Sequence, residues 1–348
     1  MKPKFILSKS KVLQQYRIAK DSSDLVSYSS KTNQDVTKIL EQNTDALFSV
    51  HFNNELKHIN NLSRVLFLAQ GWNEEEITDL IAKNISWFAV DNESDLDILL
   101  KFLECCPKKI NLFLRLKIRE NSLRTEKYFV FGMKAEIINR KIKELANHPK
   151  IEKLGIHFHR KTQNMSEWNY KDYLQQMIDE EVLKRINYLN IGGGLPSDYA
   201  NTNVDVLPSI LKRIGELRDW LKDYNTKLVI EPGRFIAAPA VKLVTQIMSI
   251  YDNNIIVNAS VYNSDLDAII VPVKLLVQGE LSQEEAKKQQ AQAYVVKGIT
   301  PCSLDLFRYR VYLKNPQVGA NLVFLNAGAY NFTTDFCDLD KIEVEVVE

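Results

Sequence analysis

Short apolar segments alternate with amphipathic ones between residues 25 and 235. The apolar segments have the length and composition of buried strands, and they are Leu25–Tyr28, Ala46–Val50, Val65–Ala69, Trp87–Val90, Asn111–Ile118, Lys153–His157, Tyr188–Ile191 and Lys227–Ile230. The segments with helical spacing of apolar residues are Asn33–Glu41, Glu74–Lys83, Ser94–Leu103, Ala135–Asn147, Tyr170–Leu183 and Val206–Asp223. Strict alternation indicates parallel strands, and eight repeats predict a closed (β/α)8 TIM-like barrel over residues 25–235.

The pattern changes after residue 235. The next segments are short and rich in β-branched residues, at Val241–Ile250, Ile255–Val261, Ala268–Gln278, Ala293–Gly298, Phe307–Tyr312, Asn321–Asn326 and Lys341–Val347. They predict a mainly antiparallel β-domain formed by residues 236–348 together with an N-terminal strand from residues 1–24. The polar run Gly279–Gln292 is expected to be a solvated loop or a short exposed helix.

Composition narrows the class of protein. A chain of 348 residues exceeds the size at which one core stops growing, which favours two domains. A net charge of +1 gives no basic field for nucleic acid, and no apolar run reaches membrane-spanning length. The N-terminus lacks an apolar signal core, and the four cysteines show no metal-ligand spacing. We therefore expect a cytoplasmic protein with neither a nucleic-acid nor a membrane partner.

Active sites of (β/α)8 barrels lie at the carboxyl ends of the strands, so the residues that follow each strand are candidates for chemistry. Lys31 follows the first strand, where it is either a solvated charge or an amine able to form a Schiff base with an aldehyde cofactor. Glu231 and Arg234 follow the eighth strand in a Pro-Gly turn. They form either an exposed ion pair or a pair that binds a ring nitrogen and a phosphate.

Two further strand ends carry polar or flexible residues. His157 and His159 share one face of the sixth strand, but no third ligand has a telling spacing, so we expect no metal. An imidazole stacked on a flat cofactor is the better interpretation. Gly192, Gly193 and Gly194 follow the seventh strand and form either a tight turn or a cradle for a phosphate.

Together these residues suit pyridoxal 5'-phosphate. Lys31 would bind its aldehyde, Gly192–Gly194 and Arg234 its phosphate, and Glu231 its pyridine nitrogen. The sequence resembles the group IV pyridoxal-phosphate decarboxylases, which include ornithine, diaminopimelate and arginine decarboxylases and have the alanine-racemase-like fold. The segments that carry the resemblance are Tyr28–Asn33, Ser49–Leu56, Val90–Leu96, Arg115, Phe131–Gly132, His159, Thr162, Gly192–Gly194, Glu231–Arg234, Cys302–Asp305 and Gly328–Tyr330.

The resemblance implies roles for individual residues. The catalytic residues would be Lys31, His159, Glu231 and Cys302, with Cys302 in the region that returns a proton to the α-carbon. Beyond Lys31, the cofactor would contact His159, Thr162, Gly192, Gly193, Gly194, Glu231, Gly233, Arg234 and Tyr330. Arg115, Val271 and Asp305 would bind the substrate. The resemblance also implies a homodimer with active sites at its interface.

The chain departs from this family where the substrate side chain would bind. Val271-Pro272 stands where ornithine-type enzymes have an acid and diaminopimelate-type enzymes an arginine, while Asp265 and Asp267 are out of register. In the segment 298–305, either Pro301 replaces the family cysteine and Cys302 its neighbouring acid, or a one-residue shift keeps Cys302 as the proton donor. The acid that binds a distal amine is missing in both cases.

The expected reaction is decarboxylation of a basic or modified amino acid, such as an ornithine-, diaminopimelate- or arginine-like substrate, a carboxylated polyamine or a siderophore precursor. Arg160 and Lys161 replace small residues after His159, and they favour either an anionic or bulky substrate or extra charge near the phosphate. Two alternatives remain open: a catalytically altered homologue that acts as a binding or regulatory protein, and an amino-acid racemase.

Overall fold

The computed structural model describes residues 1–118 and 131–348. These residues form two compact units, which we call the barrel unit and the β unit. The barrel unit contains Gln15–Pro196 and Asp205–Gly233, and the β unit contains Met1–Gln14, Ser197–Val204 and Arg234–Glu348. Residues 15–24, 197–204 and 234–235 are therefore grouped differently from the domain boundaries expected from the sequence.

The chain begins with strand β1 (Lys4–Ser8) and helix α1 (Lys9–Asp21). Eight parallel strands then close the barrel, in the order β2 (Leu25–Ser29), β3 (Leu47–Val50), β4 (Val65–Ala69), β5 (Trp87–Val90), β6 (Ile110–Arg115), β7 (Ile151–His157), β8 (Tyr188–Asn190) and β9 (Lys227–Ile230). Closure is made by β2 and β9, with Leu25 paired to Val229. The predicted parallel barrel is confirmed, and every predicted barrel strand is present.

Helices separate most of the barrel strands, at α2 (Gln34–Asn43), α3 (Glu74–Ala82), α4 (Glu93–Cys105), α5 (Ala135–Leu145), α6 (Tyr170–Met177), α7 (Glu180–Leu183) and α8 (Leu207–Leu221). Asparagines start three of them, because the side chains of Asn33, Asn73 and Asn92 accept backbone N–H groups of the first turns of α2, α3 and α4. The single helix predicted over 170–183 is instead two short helices, α6 and α7. The backbone N–H of Asp179, between them, donates to Asn139.

The barrel core contains residues from several strands. Leu66, Ala89, Phe113 and Val229 are buried together, and each large side chain there contributes about 1.5–3 kcal/mol of burial free energy. Because side chains alternate along each strand, burial of this set restricts which residues at the strand ends can face the barrel axis. Within residues 1–118 and 131–348, no helix is long and apolar enough to cross a membrane.

The β unit is built on an eight-stranded sheet. Besides β1 it contains β10 (Val241–Tyr251), β11 (Asn254–Val257), β12 (Leu276–Val277), β13 (Gln292–Lys297), β14 (Leu306–Leu313), β15 (Asn321–Leu325) and β16 (Glu343–Val347). The pairings β1–β16 and β11–β13 are parallel and the others antiparallel, so the predicted mainly antiparallel domain is confirmed. Its short helices are α9 (Arg234–Ala237), α10 (Val261–Ser264), α11 (Asp267–Ile270) and α12 (Gln283–Gln289).

One predicted strand is wrong. Residues 268–278 form the end of α11 and the two-residue strand β12, because the backbone turns at Asp265, whose carbonyl accepts the N–H of Ala268. The β-branched run that suggested a strand includes Ile270, which is 60% exposed at the end of α11. In the polar run, Ser282 caps α12 through a capping box with Glu285, so the short-helix interpretation is confirmed.

Candidate active site

Polar side chains surround the carboxyl ends of the barrel strands, a region that we call the barrel mouth. Lys31 lies in a single helical turn after β2, and His51 comes directly after β3. His157 and Asn190 are the last residues of β7 and β8, and Glu231 follows β9. The barrel therefore brings together residues that are far apart in the sequence.

Glu231 is buried and held by two neighbours. Asn190 donates from Nδ2 to Oε1 at 2.8 Å, and Nε2 of His157 lies 3.4 Å from Oε2. Burial alone raises the pKa of Glu231, but the charge and hydrogen bond of His157 and the hydrogen bond of Asn190 outweigh it and lower this pKa to about 2. Glu231 is thus a carboxylate at every physiological pH.

Asn190 also organises the glycine turn. Its Oδ1 accepts the N–H of Gly192 at 2.9 Å, while the N–H of Gly193 donates to Nδ1 of His159 at 3.3 Å. For Gly194, no hydrogen-bond acceptor of its N–H is found among the described residues. This amide is available to an anion.

The turn requires glycine at each position. A Cβ atom would lie 2.6 Å from the carbonyl oxygen of Phe158 at Gly192, and 2.7 Å from that of Glu231 at Gly193. At Gly194 it would lie 2.6 Å from the carbonyl oxygen of Lys161, and φ there is +103°. Close backbone packing therefore accounts for the three glycines.

Lys31 is exposed and has a partner that the sequence interpretation missed. Its Nζ lies 3.3 Å from Nε2 of His51, whose side chain is 28% exposed. Burial, and then the charge of Lys31, lower the pKa of His51 to about 3. The sequence signals for His51 were its position directly after the predicted strand Ala46–Val50 and its place in the segment Ser49–Leu56, but neither gave it a role. Asn190 lies inside the predicted strand Tyr188–Ile191, so the criterion of following a strand missed it; a polar residue within an apolar strand was its only signal.

His159 and Arg115 lie in the same mouth. Burial, followed by the charges of Arg115 and Lys31, lowers the pKa of His159 to about 3, so its ring is neutral. Because Nδ1 accepts the N–H of Gly193, the proton of this neutral ring is on Nε2. Arg115 pairs with Asp91 at 2.9 Å and lies over the ring of Phe131, with 4.9 Å to the ring centroid.

The charges after His159 are engaged locally. Arg160 is buried and pairs through Nε with Glu167, and Lys161 pairs with the same carboxylate at 2.5 Å. Arg160 also lies over the ring of Tyr173. Glu167 thus compensates one of the two charges that suggested an anionic substrate. Thr162 is exposed, and its contact with a phosphate stays a prediction.

In the β unit, Arg234 is buried against Asp267. Both of its terminal nitrogens donate to the Asp267 carboxylate, and Nη1 also donates to the hydroxyl of Tyr199 at 2.9 Å. Burial lowers the pKa of Arg234, but the hydrogen bond to Asp267 more than reverses this and raises it. Tyr330, with φ of +56°, places its ring 5.2 Å from the guanidinium carbon.

The residues of the substrate region at which the sequence departs from the family also lie in the β unit. Sγ of Cys302 is 3.1 Å from the hydroxyl of Tyr262, and this hydrogen bond lowers the pKa of the thiol. Asp305 is buried and accepts three hydrogen bonds, from the N–H of Val261 and from the N–H and hydroxyl of Thr300. Val271 is half-buried at the end of α11. Substrate binding by Asp305 and Val271 stays a prediction.

Gly233 is in the barrel unit, and a Cβ atom there would lie 2.2 Å from Oγ1 of Thr32 and 3.1 Å from Cβ of Ser29. Glycine is therefore needed to pack the turn after β9 against the turn that carries Lys31. The hydroxyl of Ser29 reinforces this contact by donating to the carbonyl of Glu231 at 3.1 Å. No group of three His, Cys, Asp or Glu residues suited to a metal occurs in the described part of the chain.

The barrel mouth fits pyridoxal phosphate. It offers an exposed amine at Lys31, an ionised buried acceptor at Glu231, and a neutral ring at His159. The N–H of Gly194, which has no acceptor within the described ranges, suits a phosphate oxygen. The amine suits the aldehyde of the cofactor, the carboxylate suits its protonated pyridine nitrogen, and the imidazole suits its flat ring. The amide N–H of Gly194 suits its phosphate.

Comparisons with known proteins agree with this fit. The family model described as pyridoxal-dependent decarboxylase, pyridoxal binding domain, matches residues 9–238. Diaminopimelate decarboxylase of Aquifex aeolicus (strain VF5) is 26% identical over 293 residues, which are 77% of this chain and 66% of that protein. Lysine/ornithine decarboxylase of Selenomonas ruminantium is 29% identical over 171 residues, which are 47% of this chain and 42% of that protein. The matches thus span about two thirds of these relatives' lengths or less.

Solved structures share the fold over almost the whole chain. Lysine/ornithine decarboxylase of Vibrio vulnificus, complexed with cadaverine, has a TM-score of 0.80 at 21% identity and covers 99% of this chain and 94% of its own. Diaminopimelate decarboxylase of Helicobacter pylori, complexed with L-lysine, has a TM-score of 0.79 at 19% identity, with coverages of 100% and 92%. Since the family model covers well over half of its residues, the chain belongs to the pyridoxal-dependent decarboxylase family, whose cofactor is pyridoxal phosphate.

Proposed function

We propose that the protein is a pyridoxal-phosphate-dependent carboxy-lyase that removes the α-carboxylate of a basic or modified amino acid as carbon dioxide. The observation that carries this proposal is Glu231, a buried carboxylate that His157 and Asn190 keep ionised at the barrel mouth. An ionised acceptor at the pyridine nitrogen favours the protonated ring, and the protonated ring is the stronger electron sink.

The proposed cofactor contacts are assigned residue by residue. Lys31 would bind the aldehyde, His159 would stack on the ring, and Gly194 would offer its N–H to the phosphate. Thr162, Arg234 and Tyr330 are further proposed phosphate contacts. When bound, pyridoxal phosphate stabilises the electrons released from the bond to the departing carboxylate.

The residues of this chain then have separate tasks. Glu231 would accept a hydrogen bond from the ring N–H of the cofactor, and His157 and Asn190 keep its two oxygens in place. Cys302 holds a proton on Sγ that it can return to the α-carbon, and the hydroxyl of Tyr262 stabilises the thiolate that remains. In racemases of this fold, the resemblance implies an arginine at the position of Glu231, so the carboxylate favours decarboxylation.

The substrate pocket is expected to differ from those of ornithine- and diaminopimelate-type enzymes. Val271 offers no charge, and Asp267 is already paired with Arg234. A terminal ammonium would lose several kcal/mol of pairing in such a pocket, so plain ornithine and lysine are poorer candidates than modified amino acids. The related proposal is a homodimer in which a partner subunit completes the site.

A carbon dioxide release assay tests the reaction. The panel contains diaminopimelate, lysine, ornithine and arginine, together with carboxylated polyamines and siderophore precursors. Borohydride reduction of the loaded protein, followed by peptide mass spectrometry, tests the cofactor lysine. We expect release from at least one substrate and a pyridoxyl label on Lys31, with Lys31→Ala losing both. The control variant, Lys57→Ala, removes an exposed lysine of a neighbouring turn and should retain both.

Three results would contradict the proposal. A label on another lysine would overturn the assignment of Lys31. Exchange of the α-proton without carbon dioxide loss would indicate a racemase. Absence of turnover across the panel, with the cofactor bound, would favour a binding or regulatory protein.

A further inference from the structure

His51 lies beside the candidate cofactor lysine, and no motif identified in the sequence gives it a role. Its Nε2 is 3.3 Å from Nζ of Lys31, within reach of a hydrogen bond. Within residues 1–118 and 131–348, this imidazole is the hydrogen-bonding partner of the Lys31 amine, and no carboxylate forms an ion pair with that amine. The base nearest to Lys31 is therefore a histidine.

His51 and Glu55 each carry one unsatisfied polar atom. Nδ1 of His51 and Oε2 of Glu55 are both buried without a hydrogen-bond partner among the described residues. The other carboxylate oxygen, Oε1, is 4.0 Å from Nδ1, and it accepts the backbone N–H groups of His51 and Phe52 at 2.9 and 3.0 Å. A movement that shortens the 4.0 Å gap between Nδ1 and Oε1 by about 1 Å would form a hydrogen bond.

The charges around His51 keep its ring neutral. Burial and then the charge of Lys31 lower its pKa, Arg115 and His157 act in the same direction, and Glu231 opposes them. A neutral imidazole has one lone pair and one N–H. Because the Lys31 ammonium can only donate, the lone pair is on Nε2 and the N–H is on Nδ1, which lies 4.0 Å from Oε1 of Glu55.

We propose that His51 accepts a proton from Nζ of Lys31 and passes the proton of its own Nδ1 to Glu55. The step starts from an ammonium, a neutral imidazole and a carboxylate, and it ends with a neutral amine, the other imidazole tautomer and a carboxylic acid. One proton leaves Lys31 and one arrives at Glu55, so charge and atoms balance.

The surroundings of Glu55 suit it to be the final acceptor. Burial raises the pKa of this carboxyl group, because desolvation outweighs the two backbone hydrogen bonds that it accepts and the charge of Lys31. A raised pKa means that the carboxylate holds a proton more readily than an exposed glutamate does. The geometry and the chemistry of Glu55 therefore point the same way.

The relay gives Lys31 the form that its proposed task requires. Only the neutral amine is a nucleophile, so an ammonium must lose a proton before it can attack an aldehyde. A base fixed within hydrogen-bond distance removes the proton as the new bond forms. The inference rests on the proposed function, since it concerns the lysine assigned to the cofactor, but its test needs no cofactor.

Competitive acetylation of the full chain, freed of cofactor, measures the reactivity of single lysines. The protein is treated with acetic anhydride between pH 6 and pH 10, and the acetylation rates of Lys31 and Lys57 are compared by mass spectrometry. We expect Lys31 in the unaltered protein to react about tenfold faster near pH 7 than in His51→Gln, a conservative fraction of the usual gain from a positioned base. Lys57 serves as the internal reference.

The choice of variant separates proton transfer from simple positioning. In His51→Gln, the Gln side chain can still accept a hydrogen bond from Lys31 but cannot relay a proton. Lys31 should therefore be acetylated as slowly in His51→Gln as in His51→Ala. Glu55→Gln should also lose most of the rate advantage that Lys31 has in the unaltered protein. His148→Gln, whose imidazole is at the opposite end of the barrel before β7, should match the unaltered protein.

A Lys31 rate and pH profile in His51→Gln equal to those of the unaltered protein would overturn the relay. This outcome is distinct from failure of the proposed function, which is judged by the borohydride label and carbon dioxide release. If His51→Ala does not fold, the near-isosteric His51→Gln and Glu55→Gln still decide the matter.

Discussion

Arg234 and Asp267 form a buried, two-point ion pair within the β unit. Nη2 of Arg234 lies 3.0 Å from Oδ1 of Asp267, and Nη1 donates to the other carboxylate oxygen. Tyr199 accepts a further hydrogen bond from Nη1. The guanidinium proposed to contact a phosphate therefore already has a carboxylate partner, and both groups are almost completely buried.

Replacing Asp267 with Asn should destabilise the protein. The change leaves the Arg234 charge buried without its counter-ion, which costs about 3–5 kcal/mol of unfolding free energy. Urea unfolding of the cofactor-free protein measures the loss. Asp335→Asn, at an exposed acid of the same unit, should change the unfolding free energy by less than about 0.5 kcal/mol. Equal stability of the two variants would contradict a structural role for the pair.

Glu231→Gln should change how stability depends on pH. The folded-state pKa of Glu231 is lowered to about 2, so its contribution is present above the unfolded pKa near 4.5 and is lost as the pH falls toward 2. The unaltered protein should lose about 3 kcal/mol more than the variant over this range. Denaturant unfolding at several pH values measures the difference. Glu152→Gln, at an exposed position of β7, should follow the unaltered protein, and parallel curves for Glu231→Gln would refute the assigned pKa.

Gly194→Ala should lower the unfolding free energy, and Gly215→Ala should raise it. At Gly194 the new Cβ would meet the carbonyl of Lys161 at a backbone φ of +103°, so we expect a loss of about 1–3 kcal/mol and weaker cofactor binding. Gly215 is inside α8 with open space around it, where alanine should add about 0.5–1 kcal/mol. Thermal unfolding and absorbance titration with pyridoxal phosphate measure both. If Gly194→Ala changed neither the thermal unfolding nor the cofactor affinity, the turn would have to move to accommodate the new Cβ.

Asp305→Asn tests whether this residue supports the loop that carries Cys302. Its carboxylate accepts hydrogen bonds from Val261 and Thr300, and an amide cannot replace all of them. We expect a loss of about 2–4 kcal/mol in unfolding free energy without any substrate present. Ser303→Ala, an exposed position in the same loop, is the control. A normal unfolding curve combined with a raised KM would instead support the predicted contact with substrate.

The barrel could be predicted well because its signals are local. Each barrel strand is an apolar run of strand length, and most runs are followed by a helical pattern whose start is often marked by an asparagine such as Asn73 or Asn92. The β unit was harder to predict, since residues 268–278 contain β-branched side chains but the backbone turns at Asp265. There the long-range packing of short elements outweighs β propensity.

The order of residues along the chain was enough to place Lys31, His159, Gly192–Gly194 and Glu231 at strand ends, and so to make them candidates. Only the tertiary structure identified the hydrogen-bond and ion-pair partners of the candidate residues. In the structure, His51 contacts Lys31, and Asn190 and His157 contact Glu231. Asp267 pairs with Arg234. Strand order and register bring distant positions within hydrogen-bond distance, and burial there sets protonation states that no sequence spacing encodes.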